Sequence, residues 1–283
     1  MPPAFIDALT SPTLKHLREH WWDEEFTGFL MEMLRPRPGN RILDIGCGEG
    51  AAEVRVGRHV SQLSLFGVDI KATAAAAAAR ETAAHNQRAR FAAADAERLP
   101  FRDGVFDSTF CVAVLQHVPD VGAAVAEMAR VTRTGGRIVA VEPDNSARYA
   151  FSSIPAGTAT FDAASEFFAA WMSSRQESTE PAIGPKLPGF FAGHGIDVLD
   201  VRLFPVSYTQ VGAPASDVWA ARRAHVERLS DQAPTPELRA LARDYLKVLE
   251  SYARGAGAAG PAFVEIQNTM LFATVGQKPA SAR

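Results

Sequence analysis

The chain has 283 residues, 47% hydrophobic and 22% charged, enough to bury the core of one large domain or two small ones. Its formal net charge of -3 and pI near 6.2 leave no broad basic surface, which excludes a general electrostatic attraction to nucleic acid or anionic lipid. The two cysteines, Cys47 and Cys111, show no metal-ligand spacing and fall in segments predicted as buried strand or strand end, so both are read as reduced structural thiols.

In chain order, the opening "MPPAFIDALTSP" lacks a basic region followed by an apolar stretch, so no secretory signal is expected and the predicted location is cytoplasmic. Ser11 and Pro12 make a cap and first-turn pair, and Trp22, Phe26, Phe29, Leu30 and Met33 recur at helical spacing. Helices are therefore predicted over 1–36, closed by Pro36 and Pro38, with Trp21 and Trp22 in the core or on a lid. From Arg41, the runs "RILDIG", "LSLFGVDI", "ARFAAADA", "STFCVAVL" and "RIVAVEP" alternate with alanine-rich or amphipathic stretches, the pattern of a parallel α/β sheet. The alanine run after Lys71 is a helix too short and too weakly apolar to span a bilayer. Val121, Val125, Met128 and Val131 share a face of the helix before the fifth strand, and "RTGG" ends that helix.

Regularity lapses after Pro143 in an elaborated connection holding a helix from about Phe161 to Met172. Arg148, Tyr149 and His194 lie near it and are loose pocket candidates. Two more strands, "IDVLDVRLFPVS" and "FVEIQNTMLFATVGQ", enclose helices predicted over Ser216 to about Leu229 and Thr235 to about Tyr252. In the second, Leu238, Leu241, Tyr245, Val248, Leu249 and Tyr252 form a packing stripe. The charge run "RRAHVER", Arg222 to Arg228, is read as a solvated helix face.

The stretch "ILDIGCGEG" carries the first chemistry. Glycines at the end of a strand let the backbone turn tightly and bring the next helix N-terminus to a ligand. Gly46, Gly48 and Ala51 also satisfy a dinucleotide fingerprint, so the turn alone leaves the ligand open. Asp44, two positions before Gly46, would repel a pyrophosphate and attract a cation; its alternative reading is a turn cap. Asp69 ends the second strand, where an acid accepts from ribose hydroxyls, and Asp95 follows the third, where a carboxylate accepts from an adenine amino group. The ribose contact of Asp69 suits either kind of cofactor; each acid alone fits a helix cap, but three at successive strand ends are hard to assign to chance loops.

From "PGNRILDIGCGEG" through "FGVDIK", "AADAERLPFRDGVFD" and "VLQHVPD" to "MARVTRTGGRIVAVEPD", the chain resembles the class I S-adenosylmethionine-dependent methyltransferases, of the small-molecule type related to the ubiquinone and menaquinone methyltransferases. The resemblance covers roughly Arg37 to Asp144. It implies an α/β, Rossmann-like, doubly wound sheet of about seven strands with the last antiparallel, in a single domain over 1–283. Within it are expected N-terminal helices at 1–36, a cofactor-binding core at 37–145, a connection at 146–192, last strands at 193–208 and 262–277, and a helical cap insertion at 209–261. By the same resemblance, Asp44 and the Gly46, Gly48 and Gly50 backbone hold the methionine part of S-adenosylmethionine, and Val112 touches it through its backbone. Asp69 takes the ribose, Ile70 packs on adenine, and Asp95 with Ala96 reads the adenine edge.

Methyl transfer is a displacement at an activated carbon, so positioning supplies much of the rate and a base is needed only if the acceptor must lose a proton. His117, after the fourth strand, and Glu142, at the end of the fifth, are the candidate catalytic residues; local packing and local capping are their structural alternatives. The expected partner is a small organic acceptor, with no nucleic acid, membrane or metal. Competing readings are an RNA or protein methyltransferase, for which neither a binding module nor a basic stripe is visible, and a non-catalytic cofactor-binding protein. A further one is an NAD-dependent oxidoreductase, favoured by Ala51 and Asp69 and opposed by Asp44 and Asp95.

Overall fold

The structure is a computed structural model that describes residues 22–60, 62–144, 149–174, 180 and 182–280. The Ser11–Pro12 pair, Trp21 and Arg148 lie outside the described residues. The chain divides into two compact units: a sheet unit (Trp22–Ala147, Ser178–Pro205, Met270–Arg283) and a helical unit (Met1–Trp21, Arg148–Glu177, Val206–Thr269).

The strands are β1 Arg41–Ile45, β2 Ser64–Asp69, β3 Ala89–Ala93, β4 Phe106–Val112, β5 Thr132–Asp144, β6 Ala150–Ser152, β7 Asp197–Val211 and β8 Val264–Gln277. The α-helices are α1 Glu24–Leu34, α2 Ala51–His59, α3 Ala72–Ala84, α4 Val121–Val131, α5 Ala156–Ser174, α6 Leu187–Gly193, α7 Ser216–Asp231 and α8 Pro236–Ala259.

In the sheet unit the order is β3-β2-β1-β4-β5, all parallel, and the C-terminal half of β8 runs antiparallel to β5 from Arg137↔Gln277 to Asp144↔Met270. Strand order reverses between β1 and β4, and in open α/β sheets the crevice beyond the strand ends at that point takes the ligand. The expected doubly wound sheet with an antiparallel last strand is therefore present. The predicted face of α4 is buried, and Val125 and Met128 pack with Leu43, Ile45, Phe106, Ile138 and Phe191. The alanine run makes sense at this level. Ala75, Ala78 and Thr82 are the buried face of α3, and a Cβ on Gly50 would stand 3.0 Å from Ala78, so larger residues would push the helix off the glycine turn.

Several elements differ from expectation. The "RTGG" segment, Arg133–Gly136, lies inside β5 and does not end α4: Thr132 already caps that helix and pairs with Phe106. Three-residue β6, which pairs antiparallel with β8, is too short to leave a periodic signal.

The helical unit packs α5, α7 and α8 around Phe167, Trp171, Val226, Leu229, Leu238 and Ala242, with a second cluster of Tyr252, Ala256 and Phe263. The predicted stripe on α8 is thus packing: Leu238, Leu249 and Tyr252 are buried. Thr235 caps α8 by accepting from the Leu238 N–H (3.2 Å), with Pro236 in the first turn. The helix runs past its predicted end because Ala256 is buried and Gly255 lies against Ile154, so packing outweighs the poor helix propensity of "RGAGAA". The charge run on α7 is a correction. Arg223 and Arg228 are exposed, but His225 is buried and the Arg222 side chain is only 13% exposed, because 222, 225, 226 and 229 share the inward face.

Candidate functional site

The glycine turn leaves β1 with all three glycines in the left-handed region, at φ +77 for Gly46, +52 for Gly48 and +86 for Gly50. Gly46 is also a packing requirement: a Cβ there would meet the Val114 side chain at 2.3 Å, so the turn after β4 can close over it only without a side chain. Most of the loop's amides are already spent. Gly46 and Cys47 donate to the Val68 carbonyl (2.7 and 2.9 Å), Gly50 to the Cys47 carbonyl (3.0 Å), and Gly48 to Asp69 Oδ2 (3.1 Å). A phosphate cradle needs free N–H groups, and this loop offers few.

Around the turn stand carboxyl groups. Asp44 is 5% exposed; burial first, then neighbouring Glu53 and Asp69, push its carboxyl well above the usual range. Half-buried Asp69 accepts from Gly48 and, through Oδ1, from the Lys71 N–H (2.9 Å), which fixes its orientation and leaves lone pairs for a ligand. Glu53, three residues into α2's N-terminal region, was not singled out from sequence; it is 1% exposed, and burial pushes it up to about 8. The Cys47 thiol is pushed up by burial and then by Asp44, Glu53 and Asp69. Both cysteines are free and buried, as expected.

The remaining predicted residues line the same strand ends. Ile70, directly after β2, is 59% exposed, a large apolar side chain with no core role, which fits a platform for a flat ring. Asp95 is exposed two residues beyond β3 and accepts from the Glu97 N–H through Oδ1 (3.0 Å), beside half-buried Ala96. Val112 ends β4 and is half-buried; Ala113 then takes a left-handed φ of 57.

Half-buried His117 ends the short 3₁₀ turn Leu115–His117. Glu142 lies at the end of β5 but does not face an open crevice. It is 0% exposed, and its carboxylate accepts from the N–H groups of Val114 (2.7 Å), Leu115 (2.8 Å) and Gln116 (3.4 Å). Burial pushes it up to about 7, against the lowering effect of those amides. Its geometry pins the turn that carries His117, the capping alternative of the sequence reading. His194 and Tyr149 are exposed; His194 Nδ1 contacts the Phe190 carbonyl (2.8 Å) and the Tyr149 N–H donates to Asn268 Oδ1 (3.0 Å). Among the described residues no group of three metal-ligating side chains occurs, and no helix is long and apolar enough to cross a membrane.

The helical unit holds its own polar cluster. Glu265, 0% exposed, accepts from Arg222 Nη1 (3.0 Å) and Nη2 (2.7 Å), Tyr252 Oη (2.9 Å) and Gln267 Nε2 (2.9 Å). The Arg222 guanidinium lies 4.9 Å from the Trp219 ring.

The doubly wound sheet thus carries a glycine turn with acids at its strand ends, at the switch point where open α/β sheets take a ligand. Residues 43–140 match the family described as "Methyltransferase domain". The 27-O-demethylrifamycin SV methyltransferase of Amycolatopsis mediterranei is 33% identical over 147 residues, 48% of this chain and 54% of that protein. A demethylmenaquinone methyltransferase of Mycobacterium marinum is 32% identical over 134 residues, 47% of this chain and 53% of that protein. The chain spans about half the length of these curated relatives. Among solved structures, the YcgJ protein of Bacillus subtilis superposes with a TM-score of 0.59 at 18% identity, over 91% of this chain and 100% of that one. The cyclase SpnF gives 0.54 at 19% identity, over 91% and 82%. The likeness to methyltransferases thus falls on residues 43–140, the stretch that holds the glycine turn and the acids at the strand ends.

Proposed function

We propose that this protein binds S-adenosylmethionine at the glycine turn and transfers its methyl group to a small organic acceptor. One observation carries the reading: buried carboxyls surround a turn whose amides are already engaged, a site built for a cation and not for a pyrophosphate. That opposes the NAD alternative. When bound, S-adenosylmethionine supplies a methyl group on a positively charged sulfur. Asp44 faces the positively charged methionine part, Asp69 accepts from the ribose hydroxyls, Ile70 underlies the adenine, and Asp95 with Ala96 meets its edge. Glu142 fixes the Val114–Gln116 amides, so the turn bearing His117 is rigid, and His117 is the base for an acceptor that must lose a proton.

A small acceptor is supported by the relatives, whose names specify a rifamycin and a demethylmenaquinone. The sequence of the helical unit lies outside the matched domain. Methyl-labelled S-adenosylmethionine, incubated with the protein and a source-cell extract split into small-molecule and macromolecular fractions, tests the reading. Label in the small fraction is expected. Label confined to macromolecules would replace the acceptor class with RNA or protein, and none in either would remove the activity.

A further inference from the structure

Glu53 is the buried ionisable group that the proposed reaction leaves without a task. Neither of its carboxyl oxygens has a hydrogen-bond partner among the described residues. It sits where only a glycine strand position would admit it: a Cβ on Gly67 would stand 2.5 Å from Glu53 Oε1 and 2.6 Å from the Phe91 ring. Gly67 is the register partner of Asp44, and paired residues of parallel strands point to the same face. The Glu53 carboxyl therefore lies over the sheet position next to the Asp44 side chain, and the two carboxyls repel.

The groups that face this pair are all acidic or neutral. Asp44 comes from β1, Asp69 from the end of β2 and the Cys47 thiol from the turn, while Gly67 and Phe91 close the strand side. Among the described residues, the neighbouring charges that push Asp44 and Cys47 up are the carboxyls Glu53 and Asp69, with Asp44 itself acting on Cys47. Two buried carboxylates side by side without a cation cannot both stay ionised, as in any carboxyl dyad, so the free protein keeps a proton between them. An unpartnered carboxyl, 1% exposed and over the sheet position next to a second one, is poor structural material. It is well placed to respond to a positive charge.

We propose that Glu53 is a positioning residue that acts through Asp44: the two share one proton in the free protein and release it to solvent when a cationic amino-acid group settles against Asp44. The proposal rests on the reading of this turn as the S-adenosylmethionine site. Cofactor binding is then proton-linked, and the ionised pair holds the cofactor's ammonium more tightly than Asp44 alone. The chain would favour the cationic sulfonium over the neutral thioether product, because the product brings one positive charge fewer to the pair.

Isothermal titration of the full chain with S-adenosylhomocysteine and S-adenosylmethionine, at pH 7.0 in buffers of different ionisation enthalpy, tests this. That pH lies below the range, about 7.7–8.0, in which an α-amino group itself titrates. The expected result is release of close to one proton per cofactor, with affinity rising up to about tenfold per pH unit between pH 6 and 7.5. Glu53→Gln should bind without release and with a flat pH profile, and Glu53→Asp should restore part of it. Binding with no proton exchange in the wild type, or undiminished release in Glu53→Gln, overturns the role of Glu53 alone. Absence of binding to either compound overturns the cofactor reading and the proposal with it. If Glu53→Gln does not fold, Glu53→Asp decides: release and pH dependence identical to the wild type's overturn the role of Glu53.

Discussion

Glu53 in the sheet unit and Glu265 in the helical unit are equally removed from water, at 1% and 0% exposure, yet they are held in opposite ways. Glu265 receives donors from Arg222, Tyr252 and Gln267 on both oxygens, whereas the Glu53 carboxyl has no hydrogen-bond partner among the described residues and lies beside Asp44, Gly67 and the Phe91 ring. A saturated buried carboxylate stabilises a fold it is built into, and its loss is felt as unfolding. An unsatisfied one costs stability, and a site that keeps it is prepared for a charge that arrives from outside. The contrast assigns stability to one buried carboxyl and ligand response to the other.

The largest effect expected from breaking this contrast is at the saturated pair. Glu265→Ala or Arg222→Ala strands the opposite charge, and urea denaturation should show a loss of about 3–5 kcal/mol, whereas replacing both residues by Met should cost much less. A single variant with an unchanged midpoint would show that the network does not hold the helical unit. In the sheet unit, Gly46→Ala should cost about 1–3 kcal/mol, because the added Cβ collides with Val114 at a left-handed φ. Gly48→Ala has nothing within 4 Å and should lose only the backbone term, about 1–2 kcal/mol. Equal losses at the two positions would mean that Val114 yields freely.

Ligand binding should separate the acids in the same spirit. Asp69→Ala removes a ribose acceptor and also frees the Gly48 and Lys71 amides, so S-adenosylhomocysteine binding should weaken by about 1–3 kcal/mol in calorimetric titration. Asp95 is exposed, and its replacement by Ala should cost less than about 1 kcal/mol. An order reversed from this would move the anchoring contact from the ribose to the adenine.

How far the sequence reached follows from the range of the interactions. The glycine turn, the acids at the ends of β1 and β2 and past β3, and the parallel alternation are local patterns, and all were legible. Glu53 was not, because an acid in the first turn of a helix already has a sufficient local reason in the helix dipole. Its burial depends on Gly67, fourteen positions away on another strand, and no spacing rule links the two. Glu142 was placed on the correct strand end, but its partners belong to the turn after β4, so it read as facing the crevice when it faces those amides. Arg222 and His225 were hidden in a charge run, where a 3.6-residue period of burial is masked by the exposed Arg223, Glu227 and Arg228 around them.

His225 provides the smallest prediction, and it bears on both units through pH. Its ring is 4% exposed and stacked on Phe168 with centroids 6.0 Å apart; burial, then Arg228, lowers it to about 4. The unfolded chain therefore takes up a proton near pH 6.5 that the folded chain refuses until about 4, so this group's stability is present above 6.5 and lost as pH falls towards 4. Glu53 and Glu142 work the other way: with folded values raised to about 8 and about 7 from 4.5, they make stability fall as pH rises from 4.5 through those values. Between pH 4.5 and 6.5 His225 opposes the two carboxyls, and the wild-type stability should fall with rising pH less steeply there than the carboxyls alone would make it. His225→Phe removes one side of the balance. Its stability should then rise towards pH 4.5 relative to wild type, by on the order of 1 kcal/mol. A variant profile parallel to the wild type across that window would show that the ring titrates alike in both states, and that Arg228 and the surrounding aromatic side chains do not keep it neutral.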